Sequence, residues 1–450
     1  MGGSFFLLFV EFCDNHTKNS SYEISYRWVV LRKKRSYNGE KGGRNMNHMA
    51  FGNTLSRLRK RKKLTQSALA DQLNISDKSV SKWETGAGYP DIALLPQLAH
   101  ILGTTVDYML TGERRGIAIA GNIITDVIKD INVYPAIGML ANVTQINKAV
   151  GGCAPNTAID LSTIDPSLPI SVIGSVGDDE YGRYMLSQLQ RHQIDTSSIR
   201  VTDASPTSFT DVMSLPGGER TFFHVRGANA LFSPEDIDVS TLTCQMLHIG
   251  YILLLDRFDA SDEEYGTAMA RFLHQVQQAG IKTSIDVVSD SSGDFAAKVI
   301  PALPYCDYVI INEIECCNIW SLDPRHADGR LNVDAIRKAM EQTMAAGVNE
   351  KVIVHAKEAG FCLDRSGEFT VVSSLQIPPH QIKGSVGAGD AFCAGCLYSL
   401  YSKHTDRNML EFAAAAAACN LFSENAVDGM RPKAEILQLL TQYPRRNLCW

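Results

Sequence analysis

The sequence predicts an α/β protein, a mainly parallel sheet with helices on both faces and a small β lid, preceded by an all-α domain. Three observations carry this. From Leu55 to Leu110, leucines and other apolar residues recur at spacings of three and four, the period of helices that share one core. Beyond Gly116, short β-rich runs alternate with helical stretches across short connections, the pattern of parallel strands joined by crossover helices. The rhythm breaks at Ser208 to Leu215 and Arg220 to Val225, which flank Pro216-Gly217-Gly218 and read as a β-hairpin. Set apart from the sheet, that hairpin is a candidate lid over a ligand site at the carboxyl ends of the strands.

Composition agrees with this plan. At about 150 residues per domain, 450 residues make roughly three domains or two unequal ones with a tail, and 45% hydrophobic with 20% charged residues is ordinary for a soluble protein. No apolar run approaches the ~18 residues needed to cross a bilayer. The net charge of -6 conceals a split. Met1 to Met46 holds 8 basic and 4 acidic residues, Asn47 to Arg115 holds 10 and 6, and the remainder holds 25 and 39, a net of -14. A basic front suits nucleic acid, whereas the acidic body does not hold polyanions by bulk charge.

Eleven cysteines, an odd number without a regular framework, point to reduced thiols in a cytoplasmic protein. Cys393 and Cys396 fall in a helix of small residues, where packing outweighs metal or redox chemistry. The apolar stretch Phe5 to Val10 lacks a preceding basic region and is too short for a signal-peptide core, so residues 1–48 are expected to be a poorly ordered tail, with the natural start at Met46 or Met49.

In the helical domain, 49–112, Thr65 is the expected cap of a helix through Leu73. Asn74-Ile75-Ser76 makes a turn, and Asp77 to Glu84 makes the next helix, which Gly86 ends. Two helices joined this way place the second in the major groove of DNA, with the run Arg59 to Lys63 available to backbone phosphates. The string from Leu55 to Glu113 resembles the phage-repressor-like (XRE) helix-turn-helix family. That resemblance implies phosphate contact by Gln66 and base reading by Asp77, Lys78, Ser81 and Lys82, with Trp83 in the core. It also implies double-stranded DNA as a partner and a homodimer as the binding form. A helical bundle used only for protein contacts is the other reading.

The body, 116–450, has its β-rich runs at Ile117 to Ala120, Ile170 to Ile173, Met246 to Ile249, Lys282 to Ile285, Tyr308 to Ile311 and Val352 to Val354. Helical stretches are expected at Tyr181 to Gln193, Glu263 to Ala279 and Ala335 to Ala346. Its strongest chemical signal is GSVGAGDAFCAG, Gly384 to Gly395. There Gly387-Ala388-Gly389-Asp390 opens a helix, so backbone amides point at an anion and an ionised Asp390 can take a hydroxyl proton as general base. Local pattern alone equally allows an acid in an ordinary first turn, with glycines for tight packing.

No GxxxxGK[ST] occurs, which excludes a P-loop kinase, and no GxGxxG follows the first strand. The body resembles the PfkB (ribokinase-like) carbohydrate kinases at four places in order. These are Gly151-Gly152-Cys153-Ala154-Pro155-Asn156, Gly177 to Gly182, the NxxE at Asn312 to Glu315, and the GAGD helix start. The resemblance implies an ATP-dependent kinase acting on a sugar or sugar-acid hydroxyl, with magnesium. By its roles Asp390 is the base, Gly387, Ala388 and Gly389 the anion hole, and Asp126, Gly152 and Asn156 the holders of sugar hydroxyls. Asn312 and Glu315 organise the magnesium-phosphate network, Glu315 through water; Lys357 and Asn420 are nucleotide-side candidates, and Arg226 could pair with a substrate carboxylate. His224 is read as a packing residue. Gly384 stands where many members carry an Asp that helps bind a monovalent cation, which leaves potassium dependence open. The alternative is a transcriptional regulator whose kinase-like body only senses a sugar; a third reading has the front domain merely dimerise a kinase.

Overall fold

Thr65 and Ser76 each turn a hydroxyl onto an amide three residues on, Ala68 and Ser79, and so start two helices separated by a tight link. The computed structural model describes residues 48–216, 219–288 and 294–447; the expected tail before His48 and Gly217-Gly218 of the hairpin turn lie outside the described residues. The helical domain comprises α1 (His48–Arg61), α2 (Gln66–Gln72), α3 (Asp77–Glu84), α4 (Leu95–Leu102) and α5 (Val106–Thr111). Leu55, Leu58, Leu69, Leu73, Val80, Trp83, Leu98 and Leu102 close one apolar core among them.

One member of the basic run departs from the expectation that it meets phosphate. Arg59 is 8% exposed and pairs with Glu84, at the end of α3, through two hydrogen bonds of 2.5 and 2.9 Å. Gln66 donates to the same carboxylate at 2.8 Å. Burying a charge requires a partner and donors, and this triad supplies both while locking α1 to α2 and α3. Asp77, Lys78 and Lys82 are exposed along α3, and Ser81 is half-buried beside them.

The linker to the body is pinned. Arg114 donates to the carbonyls of Leu242 and Ala279, the Arg115 amide to Thr243 O at 2.9 Å, and the Gly116 amide to the Tyr401 hydroxyl at 3.2 Å.

The body runs in chain order β1 (Ile117–Gly121), β2 (Ile124–Ile131), β3 (Val143–Gly151), α6 (Cys153–Ile164), β4 (Ile170–Gly177), α7 (Glu180–Arg191), β5 (Asp195–Thr202), β6 (Phe209–Ser214), β7 (Arg220–Val225) and β8 (Met246–Ile252). It continues with β9 (Ser261–Asp262), β10 (Gly266–Thr267), α8 (Ala268–Gln278), β11 (Lys282–Val287), α9 (Phe295–Val299), β12 (Tyr308–Asn312), α10 (Glu313–Ile319) and α11 (Val333–Ala345). Last come β13 (Lys351–His355), β14 (Ala359–Asp364), β15 (Phe369–Ser373), α12 (Ala388–Tyr401), α13 (Asp406–Asn420) and α14 (Lys433–Gln442).

The main sheet has the order β15-β14-β13-β12-β11-β8-β1-β4-β5, parallel except at its β13-β14-β15 edge, where both pairings are antiparallel. All of β1 is buried, and its side chains alternate between two cores: Ile117 and Ile119 face one, Ala118 and Ala120 the other. That is the signature of a strand covered by helices on both faces. A second sheet, β3-β2-β6-β7, forms the lid, so the expected hairpin is half of a four-stranded unit. Asp126 lies within β2 rather than in a loop. The helix expected from Glu263 begins only at Ala268, where Thr267 caps it by accepting from Ala270 N, and β9 and β10 occupy the residues before it.

No described helix is long and apolar enough to cross a membrane. The nine described cysteines are all free and buried. Cys393 Sγ lies 3.5 Å from His248 Nε2 inside the packed interior.

Glu84→Ala strands the Arg59 guanidinium in the helical core, a loss of about 3 kcal/mol for a broken buried pair. Calorimetry of the full chain should show the helical domain melting separately and earlier, with the body's transition in place.

Candidate active site

The start of α12 is set by Gly387, whose φ of 77° lies in the left-handed region and whose Cβ would sit 2.6 Å from the Ala426 carbonyl oxygen. Only glycine fits, for both reasons. The first-turn amides of Gly389 and Asp390 have no acceptor within the helix and carry the positive end of its dipole. Asn420, the last residue of α13, donates to Val386 O at 2.9 Å and anchors the loop from behind. It is fully buried in this anchoring role, with Oδ1 left without a hydrogen-bond partner among the described residues.

Asp390 is 8% exposed, and each of its carboxylate oxygens has a donor. Asn156 Nδ2 reaches Oδ2 at 2.9 Å and the Tyr251 hydroxyl reaches Oδ1 at 3.1 Å. Burial pushes the carboxyl up to about 6, against the pull of these two donors. Asn156 lies in α6, which starts at Gly152 with a φ of 89° and no room for a Cβ, 2.3 Å from the Asn122 carbonyl oxygen. Asn156 thus spends Nδ2 on Asp390, while its Oδ1 is buried with no hydrogen-bond partner among the described residues. Cys153 Sγ donates to Gly250 O at 2.7 Å and ties the start of α6 to the end of β8, where Tyr251 follows. Tyr251 escapes a sequence reading, since a tyrosine in a β-rich run reads as packing.

Across the site lies the lid. Asp126 is in register with Thr210 of β6, and Thr210 with His224 of β7. Gly151 leaves space for the acid: a Cβ there would fall 2.5 Å from Asp126 Oδ2. Burial raises the Asp126 carboxyl to about 6, Thr210 and Arg220 oppose that, and Asp390 adds to it, so the two carboxyls feel each other. His224 is not packed as expected: it is exposed on β7, with Nδ1 3.0 Å from Thr210 Oγ1. Arg226, just past β7, is exposed and ion-paired with Asp256.

On the other flank, Asn312 ends β12 and caps α10. Its Oδ1 accepts from Glu315 N at 2.8 Å while Glu315 Oε2 accepts from Asn312 N at 2.9 Å, a reciprocal box that buries Glu315 to 5% exposure. Asp286 on β11, which no sequence pattern marks, is pushed well up by burial and then by Glu315 and Asp390. Lys357 is exposed in the turn between β13 and β14. Gly384 packs against the Ser423 carbonyl, 2.9 Å from where a Cβ would stand. Among the described residues no group of three or more His, Cys, Asp or Glu is arranged to hold a metal ion.

A family model described as pfkB family carbohydrate kinase matches residues 117–434. The chain belongs to that family. A helix-turn-helix model matches residues 55–109 in front of the kinase body. The chain is 25% identical over 332 residues to 5-dehydro-2-deoxygluconokinase of Geobacillus kaustophilus, covering 70% of this chain and 91% of that one. It is 24% identical over 317 residues to fructokinase-1 of Zea mays, covering 67% and 91%. The structure of Arabidopsis thaliana ribokinase complexed with ribose and ATP superposes with a TM-score of 0.60 at 20% identity, over 73% of this chain and 99% of that one. The kinase fold is thereby shared.

Gly387→Ala should collide with Ala426 and re-aim the α12 amides, lowering kcat by at least about 100-fold, the loss typical of a removed oxyanion donor. Steady-state kinetics at saturating substrates reads this. Because Asp390 and Asp126 both sit at about 6, kcat/KM for the sugar should fall below pH 6 with a slope approaching two protons, measured as a pH–rate profile.

Proposed function

We propose that the body transfers the γ-phosphate of ATP to a hydroxyl of a sugar or sugar acid held between Asp126 and Asp390. The observation that carries this is a buried carboxylate, Asp390, in the first turn of α12, beside amides that can receive an anion. Asp126 accepts hydroxyl hydrogen bonds from the lid side and orients the sugar. Asp390 removes the proton of the attacking hydroxyl as the oxygen–phosphorus bond forms and the bond to ADP breaks. Of the expected anion hole Gly387-Ala388-Gly389, the Ala388 amide donates to Ser385 O at 3.3 Å, so the amide of Gly389, joined by that of Asp390, stabilises charge on the transferring group. Closure of the β3-β2-β6-β7 lid excludes water, which would otherwise accept the phosphoryl group.

Burial first, and then Glu315 and Asp390, push the Asp286 carboxyl up, and a divalent cation held through water on this side would relieve that charge. Magnesium bound there would supply charge neutralisation of the phosphates, with Glu315, backed by Asn312, holding it through water. Lys357, exposed beside this flank, is available to phosphate. Arg226 would need to leave Asp256 to bind a substrate carboxylate, which makes the sugar-acid reading a competition between two acids for one guanidinium.

The helix-turn-helix domain binds double-stranded DNA in this reading, with Lys78, Lys82, Ser81 and Asp77 presented on α3, and pairs of copies reading paired half-sites. A chain that uses ATP and binds DNA works in the cytoplasm. A regulator that only senses sugar has no use for a base at the anion site, so the intact Asp390 favours catalysis.

Turnover of ATP against D-fructose, D-ribose and 5-dehydro-2-deoxygluconate tests the proposal. Asp390→Asn should lower kcat by about 10²–10⁴ with little change in the sugar KM; full activity in that variant would remove the base assignment. Lys78→Ala with Lys82→Ala should weaken binding to a selected operator. Its log–log salt slope should flatten by about one for each phosphate that the variant no longer neutralises.

A further inference from the structure

We infer that Tyr251 is a positioning residue for the base, holding Asp390 Oδ1 from the end of β8 while Asn156 holds Oδ2 from α6. The inference rests on the reading of Asp390 as base, and it gives a task to a residue that no motif marks.

Three observations carry it. The two donors come from separate elements and bind opposite oxygens, at 3.1 and 2.9 Å, so together they fix the rotation of the carboxylate plane. One donor alone would leave that torsion soft, because the terminal sp³–sp² torsion of an aspartate has broad wells. The backbone that carries Tyr251 is itself held: Gly250 O accepts from Cys153 Sγ at 2.7 Å, and a Cβ on Gly250 would meet Asp286 Cβ at 3.1 Å. Finally, the phenol is a donor here. Burial and the neighbouring Asp390, Cys153 and Asp286 push its ionisation well above the ordinary tyrosine range, so it keeps its proton and offers it to Asp390.

A carboxylate has about four lone-pair sites, and two are spent on Asn156 and Tyr251. The others stay available to a substrate hydroxyl in a fixed direction. Charge-assisted bonds of this kind favour the ionised form, so Tyr251 opposes the burial that would protonate the base.

Tyr251→Phe keeps the ring and removes only the hydroxyl. With whichever of D-fructose, D-ribose and 5-dehydro-2-deoxygluconate turns over fastest, the acid limb of kcat/KM should move up by about one pH unit, the equivalent of one charge-assisted bond. At pH 6 that makes the variant about fivefold slower than the parent, approaching about tenfold at lower pH, with the gap narrowing above pH 8. An acid limb that stays in place overturns the inference.

A second readout needs no catalysis. The Asp390 carboxyl is raised in the folded state, so the stability it contributes is present at low pH and is lost as pH rises through about 6. Removing a donor to the charged form deepens that loss. The thermal midpoint of Tyr251→Phe should therefore lie below the parent at pH 8 and approach it at pH 5, and an Asp390→Asn background should erase the pH-dependent part. A gap equal at both pH values overturns the inference. Absence of sugar-dependent turnover in the parent would sink the kinase reading instead, and the thermal comparison would still decide whether Tyr251 holds the charged carboxylate.

Discussion

With Asp390 as the proposed base, the catalytic end of this fold follows from one constraint: Asp390 is taken out of water yet has to stay ionised. A bare buried carboxylate would simply protonate. The fold meets the constraint by bringing three elements to one point. The dipole end of α12 carries the acid, α6 brings Asn156, and β8 brings Tyr251. Each must be held within hydrogen-bond reach, and the neighbouring packing does that. Gly395 of α12 lies so close to α13 that a Cβ would meet Ala413 Cα at 2.7 Å, so the alanine run of α13 is what lets the two helices approach. Asn420, at the end of the same helix, then catches the loop that leads into Asp390.

The second acid repeats the theme from the opposite side. Asp126 belongs to the lid sheet, not to the main sheet, and its carboxyl is raised by burial and by Asp390. Two such groups facing each other repel while charged, and a polyhydroxylated guest that donates to both relieves the repulsion without bringing a charge of its own. The geometry thus suits hydroxyls, and the acidic body is no obstacle to a neutral sugar.

The sequence reveals what spacing encodes and hides what tertiary contact decides. The period of three and four, the Thr65 and Ser76 caps, the βα alternation and the GAGD helix start are local patterns, and the elements stand where these place them, save the helix expected from Glu263, which starts five residues later. Strands β2 and β3 escape such a reading because β3 is exposed over six of its nine residues and lacks an apolar alternation. Arg59 reads as one cation in a basic run, and only Glu84, 25 positions away, makes it a core residue. Tyr251 and Asp286 gain their roles from Asp390, which is remote in the chain, so no local motif announces them. Asn156 and Asn420 do stand at the site, and each spends Nδ2 on a protein group while its Oδ1 stays without a partner among the described residues, a division that residue type alone does not make.

The pinned linker has a geometric consequence. Arg114, the Arg115 amide and the Gly116 amide fasten the junction to the body at Leu242, Ala279, Thr243 and Tyr401, so α3 is presented from a fixed platform and not from a tether. Two copies meeting one duplex would be spaced by the bodies behind them. If pairs of copies read paired half-sites as proposed, the distance between those half-sites becomes a ruler of the kinase, and a change in how the bodies pair would be read out in base pairs.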